Sequence, residues 1–83
     1  MTLDEIRALI IAELSNVAPE SDAAHIDPRT DLRDALDIDS LDFLNFLTAL
    51  HKKTGVIVPE ADYAKLLTLE RAVSYLTAKL NVL

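Results

Sequence analysis

The sequence of 83 residues contains no cysteine, no tryptophan and a single glycine. Without cysteine the chain can form neither a disulfide bond nor a thiolate metal site, so its apolar core alone has to hold the fold, as expected in a reducing compartment. This length suits one small domain with an adequate core. We therefore expect residues 1–83 to form a single domain.

The sequence also argues against a membrane, nucleic acid and a metal ion as partners. No apolar stretch approaches the roughly 18 residues of a membrane-spanning helix, and the first residues are acidic where a signal peptide would be basic. These features predict a cytoplasmic protein without a membrane span. The net charge of −6 argues against nucleic acid as a partner, because binding it requires a basic face. His25 and His51 are far apart and show no metal-ligand spacing, so no metal is predicted.

Acidic side chains concentrate in one segment. Between residues 27 and 42 there are two basic side chains, Arg29 and Arg33, and six aspartates, at positions 27, 31, 34, 37, 39 and 42. One interpretation is a solvated loop that aids solubility. The other is a surface that attracts a basic partner.

Apolar residues at helical spacing predict three main helices, from about Leu3 to Val17, from Ser40 to about Lys53, and from about Leu69 to Leu80. Thr2 and Glu5 fit a capping box, and Thr68 fits an N-cap. The single glycine follows the second helix, where a left-handed residue commonly ends a helix. Each helix has its own set of apolar residues expected to face the core. These sets are Leu3, Ile6, Leu9 or Ile10, Leu14 and Val17 in the first helix; Phe43, Leu44, Phe46, Leu47 and Leu50 in the second; and Leu69, Val73, Leu76 and Leu80 in the third.

The connections complete the predicted fold. Residues 18–38 read as a long loop with a short turn near Asp31 to Ala35, attached to the core by Ile26, Leu32 and Leu36. Residues 56–58 read as an extended, buried connector, and Pro59 through Leu66 as a short helix. The fold class is therefore all-α, a small bundle of three main helices and one short helix, with a long loop between the first and second helices.

The stretch Asp39-Ser40-Leu41-Asp42 lies where the acidic loop meets the second helix. Asp39 is a suitable N-cap, which makes Ser40 the first helical residue. A hydroxyl at that position projects from a helix start, with its free N–H donors and partial positive charge. This environment is favourable for an attached phosphate.

Taken together, the motifs resemble an acyl carrier protein of the stand-alone type, and the resemblance covers nearly the whole chain. The residues that carry it are Asp39-Ser40-Leu41-Asp42, Thr30-Asp31-Leu32-Arg33-Asp34-Ala35-Leu36, Gly55-Val56-Ile57-Val58-Pro59-Glu60, Thr68-Leu69-Glu70, Ala72-Val73 and Tyr75-Leu76. The resemblance implies a carrier and not an enzyme, with 4'-phosphopantetheine from coenzyme A attached to Ser40 and with Asp39 and Leu41 beside it. The thiol of that group would explain how a chain without cysteine carries thioesters.

The resemblance also implies partners. These are a phosphopantetheinyl transferase, an acyl- or aminoacyl-loading ligase, and downstream synthases or transferases of a fatty-acid, polyketide or other specialised biosynthetic pathway. The carrier itself is expected to be a monomer. We expect them to dock on a surface formed by Asp37, Asp39, Asp42, Leu44, Asn45 and Thr48. Two simpler roles stay open, because Asp39 is also an N-cap and Asp42 also complements the helix dipole.

Two functions are alternatives to a carrier. A serine hydrolase is disfavoured because neither histidine is close to Ser40 in sequence and no oxyanion-hole signature is present. A non-enzymatic interaction module would keep the carrier fold without a prosthetic group and use the acidic loop and the Leu44/Thr48 surface only to bind proteins.

Some residues depart from the family pattern. Asn45 and His51-Lys52-Lys53 stand where fatty-acid carriers usually have acidic residues, and Asp37 replaces a familiar glycine. These departures favour a specialised carrier. Phe46 either fills volume that a lipid chain would occupy, which suits a short acyl or aminoacyl cargo, or is ordinary core packing. His51 either adds a pH-dependent charge to the docking surface or is an exposed residue without a role.

Overall fold

The computed structural model describes residues 1–80. Its four α-helices are α1 (Leu3–Val17), α2 (Leu32–Leu36), α3 (Ser40–Thr54) and α4 (Leu69–Leu80), and two 3-10 segments lie at Ala23–His25 and Glu60–Leu66. No strand occurs within residues 1–80. The predicted all-α class is confirmed, and so is a short helix after Pro59. No helix in this part of the chain is long and apolar enough to cross a membrane.

Side-chain caps set the helix ends. The Thr2 hydroxyl accepts from the Glu5 amide at 3.2 Å while the Glu5 carboxylate accepts from the Thr2 amide at 2.9 Å, so the predicted capping box is present. Thr68 caps α4 by accepting from the Arg71 amide at 3.1 Å. Gly55 ends α3 in the left-handed region with φ of 76°, a conformation that costs glycine little. The predicted bounds are confirmed, and α3 extends one residue beyond Lys53.

The long connection between α1 and α3 is anchored to the core, as predicted. Leu32 and Leu36 of α2 are buried, and Ile26 is partly buried and packs against the core. The Leu32 amide also donates to the Leu67 carbonyl at 2.7 Å. These contacts hold the segment that leads into α3 against the region before α4.

The core lies where α1 packs against both α3 and α4. Its largest fully buried side chains are Ile6, Ile10, Leu14, Leu32, Phe46, Leu50, Leu66, Leu69 and Leu76. Phe46 is fully buried, and the centre of its ring lies 6.1 Å from the centre of the Phe43 ring. One face of α3 is thereby fixed in the core, and its other face is left for solvent.

Several burial predictions were wrong. Leu3 and Ile57 are 52% and 73% exposed, because Leu3 is the first residue of α1 and because alternate side chains of an extended connector face opposite ways. Only Val56 and Val58 of that connector pack against the core.

The buried face of α4 is rotated from its predicted position. Ala72 and Tyr75 are buried, whereas Val73 and Leu80 are only half-buried. The Tyr75 hydroxyl donates to the Asp62 carboxylate at 2.8 Å. This bond satisfies the polar end of the ring and ties α4 to the 3-10 segment Glu60–Leu66, so a tyrosine can occupy the buried face.

Candidate functional site

Ser40 lies at a sharp junction between two helices. Helix α2 ends at Leu36, Asp37 adopts a left-handed conformation with φ of 53°, and α3 begins at Ser40. Between them, Ile38 is 9% exposed and belongs to the core. The short link is therefore anchored from the inside, and this anchoring fixes where α3 starts.

The conformation of Asp37 explains one departure from the family pattern. In residues 1–80 it is the sole non-glycine residue with positive φ. Aspartate tolerates this region better than most residues, and glycine adopts it freely. The glycine familiar at this position would suit the same turn. Because the sequence shows no glycine there, sequence analysis missed the turn.

Asp39 caps α3 as predicted. Its Oδ1 accepts from the Asp42 amide at 2.8 Å, and its carbonyl accepts from the Phe43 amide at 3.0 Å. Within residues 1–80 the amides of Ser40 and Leu41 have no acceptor. Two N–H groups at the positive end of the α3 dipole therefore stay available beside the Ser40 hydroxyl.

The Ser40 hydroxyl has no general base. It is exposed, and no side chain of residues 1–80 forms a hydrogen bond with it. The Nδ1 atom of His25 contacts Asp22 at 2.6 Å, and Nδ1 of His51 contacts the Val56 carbonyl at 3.1 Å. Both histidines are engaged elsewhere, so the arrangement lacks the base that a serine nucleophile requires.

The contact of His51 has a structural effect. Its Nδ1–H donates to the Val56 carbonyl just beyond the end of α3, which helps hold the connector against the helix. His51 is thus exposed, as predicted, but it has a structural role in the connection that follows α3.

Three acidic side chains near Ser40 are left without an ion pair. The Arg33 guanidinium donates two hydrogen bonds to Asp31, at 2.8 and 3.1 Å. The bond from the Arg33 guanidinium lowers the pKa of the Asp31 carboxyl. Arg29 pairs with Glu70 on α4 at 3.5 Å. Among the residues described, no cation lies within ion-pair distance of the other acids at this junction, Asp37, Asp39 and Asp42.

The remaining residues of the predicted docking surface line one side of α3. These residues are Leu44, Asn45 and Thr48, and Leu41, which was predicted to lie beside the prosthetic group, adjoins them. The four recur at spacings of three and four, so they share a helix face. All four are exposed, with Leu41 at 65% and Leu44 at 40%. The prediction that Leu44 faces the core is therefore wrong. Its exposure agrees with the other prediction, which places Leu44 on the docking surface.

Beside this face runs a groove of about 350 Å³ between α3 and the following connector. Its lining is mostly apolar, and it includes Leu44, Leu47, Thr48, His51, Val58 and Tyr63. Leu44 lies four residues, about 6 Å along the axis, from Ser40. An exposed apolar surface thus begins within about one turn of the hydroxyl.

Comparison with known proteins identifies the class. A family model described as "Phosphopantetheine attachment site" matches residues 4–76. Because the match spans most of the chain, the protein belongs to the phosphopantetheine-attachment family, whose members hold 4'-phosphopantetheine as their prosthetic group.

Curated relatives agree with that assignment. The chain is 34% identical to an acyl carrier protein of Campylobacter hominis, over 88% of this chain and 86% of the relative. It is 31% identical to one of Campylobacter jejuni, over 90% and 91%, and 30% identical to one of Myxococcus xanthus, over 80% and 84%. These matches make the chain a member of the acyl carrier protein family, whose members are carrier proteins.

The junction fits the prosthetic group of this family. A phosphodiester at Ser40 would lie at a helix N-terminus with two free amides, which favours bound phosphate oxygens. Exposure of Ser40 and Leu41 leaves room for an extended arm. No three metal-binding side chains gather within residues 1–80.

Proposed function

We propose that Ser40 is the attachment residue and that the chain carries acyl or aminoacyl groups between enzymes. The observation that supports this most directly is an exposed hydroxyl at the capped start of α3, inside the region matched by the family model. When bound, the prosthetic group supplies a thiol on which cargo is held as a thioester.

Attachment is a substitution at phosphorus. The Ser40 oxygen forms a bond to the phosphorus that carries the pantetheine of coenzyme A, the bond from that phosphorus to the nucleotide part breaks, and adenosine 3',5'-bisphosphate leaves. The transferase has to accept the hydroxyl proton, because no base in residues 1–80 contacts Ser40. In this step Asp39 fixes the first turn of α3, and the free amides face the phosphate.

The docking surface is the second part of the proposal. Asp37, Asp39 and Asp42 would meet arginine and lysine side chains of the transferase, the loading ligase and the downstream enzymes. Leu44, Asn45 and Thr48 would add an apolar and neutral patch on the same helix. Apolar contact next to complementary charge is typical of protein interfaces.

The cargo and pathway are proposed from the departures noted in the sequence. The start of α3 is acidic, its middle is neutral at Asn45, and its last turn is basic with His51, Lys52 and Lys53. Enzymes that recognise an evenly acidic helix would bind it weakly, which supports a specialised pathway over general fatty-acid synthesis. Phe46 fills the core beneath this face, which supports a short acyl or aminoacyl cargo.

The test is the intact mass of the protein after incubation with coenzyme A, magnesium and a promiscuous phosphopantetheinyl transferase. We expect a gain of one phosphopantetheine group in the parent protein and none in Ser40→Ala, whose helical circular dichroism should be unchanged. A gain in Ser40→Ala would move the site to another residue. No gain in a folded parent protein would favour the interaction module without a prosthetic group.

A further inference from the structure

Basic side chains of this acidic protein gather on α4 and beside it. Residues 63–80 carry Lys65, Arg71 and Lys79 against one acidic residue, Glu70. Residues 27–42 have the opposite balance. Helix α4 is therefore weakly basic, with Asp62 of the preceding 3-10 segment beside it, whereas the surface around Ser40 is acidic.

The structure places several of these residues around one cleft of about 630 Å³. Arg29 contributes from the loop before α2, Lys65 from the 3-10 segment, and Arg71, Ser74 and Tyr75 from α4. The Glu70 amide donates to the Pro28 carbonyl at 2.9 Å, which holds the loop against the start of α4. The cleft is thus assembled from three separate segments of the chain.

Its cations are accessible, and only some of them are neutralised. The side chains of Arg29 and Lys65 are 84% and 65% exposed, and they pair with Glu70 at 3.5 Å and Asp62 at 3.3 Å. Arg71 and Lys79 have no carboxylate within ion-pair distance in residues 1–80. Positive charge therefore remains at Arg71 and at Lys79, although Lys79 is near enough to the Asp62 carboxyl to help lower its pKa.

The available charges follow the helix. Arg71, Tyr75 and Lys79 recur at every fourth position, and the Lys79 ammonium lies 5.5 Å from the centre of the Tyr75 ring. Eight residues of α-helix extend about 12 Å. The result is a stripe along α4 with a cation at each end. Tyr75 between them is buried, and its hydroxyl donates to the Asp62 carboxylate, so the two cations are the accessible part of the stripe.

From this stripe and cleft we propose a second docking surface, for an acidic helical segment of a partner protein. Carboxylates eight residues apart on a partner helix have the spacing of Arg71 and Lys79, about 12 Å. Arg29 and Lys65 also line the cleft, but Glu70 and Asp62 already pair with them. Arginine binds carboxylates through two parallel hydrogen bonds. A single small anion would reach only one end of the stripe.

Two other occupants fit less well. Nucleic acid would be repelled by the net charge of −6, which acts over the whole phosphate backbone. A second copy of this chain would bring another net charge of −6 with it. A short acidic segment avoids most of this repulsion, because it needs to approach only the basic face.

The experiment measures binding of a fluorescent, end-capped helical peptide of alanine with glutamate at every fourth position. Fluorescence anisotropy at low salt should show saturable binding to the parent protein. Since an exposed ion pair contributes about 0.2–1 kcal/mol, loss of two pairs in Arg71→Gln/Lys79→Gln should weaken binding by roughly twofold to thirtyfold. The matched control, Lys52→Gln/Lys53→Gln, removes the same charge at the end of α3 and should leave binding within about twofold.

Three results would overturn the proposal. These are equal weakening by the control variant, tighter binding of a single-stranded oligonucleotide than of the peptide, and equal binding of a peptide of the same composition with its glutamates clustered. Dimerisation of the parent protein that Arg71→Gln abolishes would assign the surface to a second copy instead. None of these results depends on Ser40, so the outcome is independent of the proposed carrier function.

Discussion

Asp39 combines a structural role with a proposed docking role, and two substitutions separate them. In the parent protein Asp39 Oδ1 accepts from the Asp42 amide at 2.8 Å. Asp39→Asn keeps an oxygen that can accept this bond but removes the charge. Asp39→Ala removes both. Loss of an N-cap costs about 0.5–2 kcal/mol, whereas loss of the charge alone costs about 0.3–1 kcal/mol through the helix dipole.

These energies predict an order of melting temperatures. In a domain of this size about 1 kcal/mol corresponds to roughly 4–8 °C. Asp39→Ala should therefore melt several degrees below the parent protein, with Asp39→Asn between them. Circular dichroism at 222 nm measures both changes. An unchanged melting temperature in Asp39→Ala would refute the conclusion that this hydrogen bond stabilises α3.

The rate of phosphopantetheine attachment provides the second measurement. If the carboxylate meets a basic side chain of the transferase, both variants should lower kcat/KM by about 1.5–5-fold, the range of an exposed ion pair. Asp39→Ala should be slower still, because its first helical turn frays and Ser40 loses its fixed position. A normal rate for Asp39→Asn would show that Asp39 acts only as a cap.

Thr2→Ala is the matched control for lost stability. It removes the cap of α1, where the hydroxyl accepts from the Glu5 amide at 3.2 Å, and leaves the α2–α3 junction unchanged. We expect a lower melting temperature and a normal attachment rate when the assay runs well below both transitions. A slowed rate in Thr2→Ala would mean that the rate reports stability and not the site.

Three further predictions concern charge, packing and pH. Asp42→Lys should slow attachment more than Asp4→Lys, since both acids lie in a first helical turn but only Asp42 is beside Ser40; equal rates would remove the case for acidic docking. Phe46→Ala should cost about 3–5 kcal/mol in urea unfolding, because Phe46 is fully buried; a loss under about 1 kcal/mol would contradict its place in the core. The hydrogen bond from Tyr75 lowers the pKa of Asp62 from its ordinary value of 3.8. The bond therefore stabilises the folded protein fully above that pH, and this stabilisation is lost as the pH falls through the lowered pKa. The melting temperatures of Tyr75→Phe and the parent protein should therefore converge in acid, and a constant difference down to low pH would refute this.

The helix boundaries were predictable because the chain marks them with local chemistry. Thr2, Asp39 and Thr68 each form the cap hydrogen bond that their residue type suggests, and Gly55 takes the left-handed conformation expected of it. Such bonds join residues two to four positions apart. A short window of sequence therefore contains what is needed to predict a helix boundary.

The junction before Ser40 was less predictable. Helix α2 has only five residues, too few to show a helical period, so only a short turn near Asp31 to Ala35 was expected. The left-handed conformation of Asp37 had no glycine to indicate it. Its backbone is set by Leu36 and Ile38, which are buried on either side, and burial depends on the whole fold.

Individual polar contacts between distant segments could not be predicted. Arg29 reaches Glu70, and the ring hydroxyl of Tyr75 reaches Asp62, across separations that no local pattern encodes. The rotated face of α4 follows from the second contact. The basic cleft follows from the first, because only the fold brings the loop before α2 to the start of α4.

The position of the unpaired acids lets stability and docking coexist. A carboxylate kept without a cation usually contributes nothing to the fold, and several of them close together repel one another. At the start of α3, however, Asp39 and Asp42 face the positive end of the helix dipole, which stabilises each by about 0.3–1 kcal/mol. Arg33 meanwhile is held by Asp31, at 2.8 Å, and cannot neutralise them. The acids therefore remain available to a basic partner at little cost to folding. The same charges at the last turn of α3 would oppose the dipole, and there the chain has His51, Lys52 and Lys53 instead.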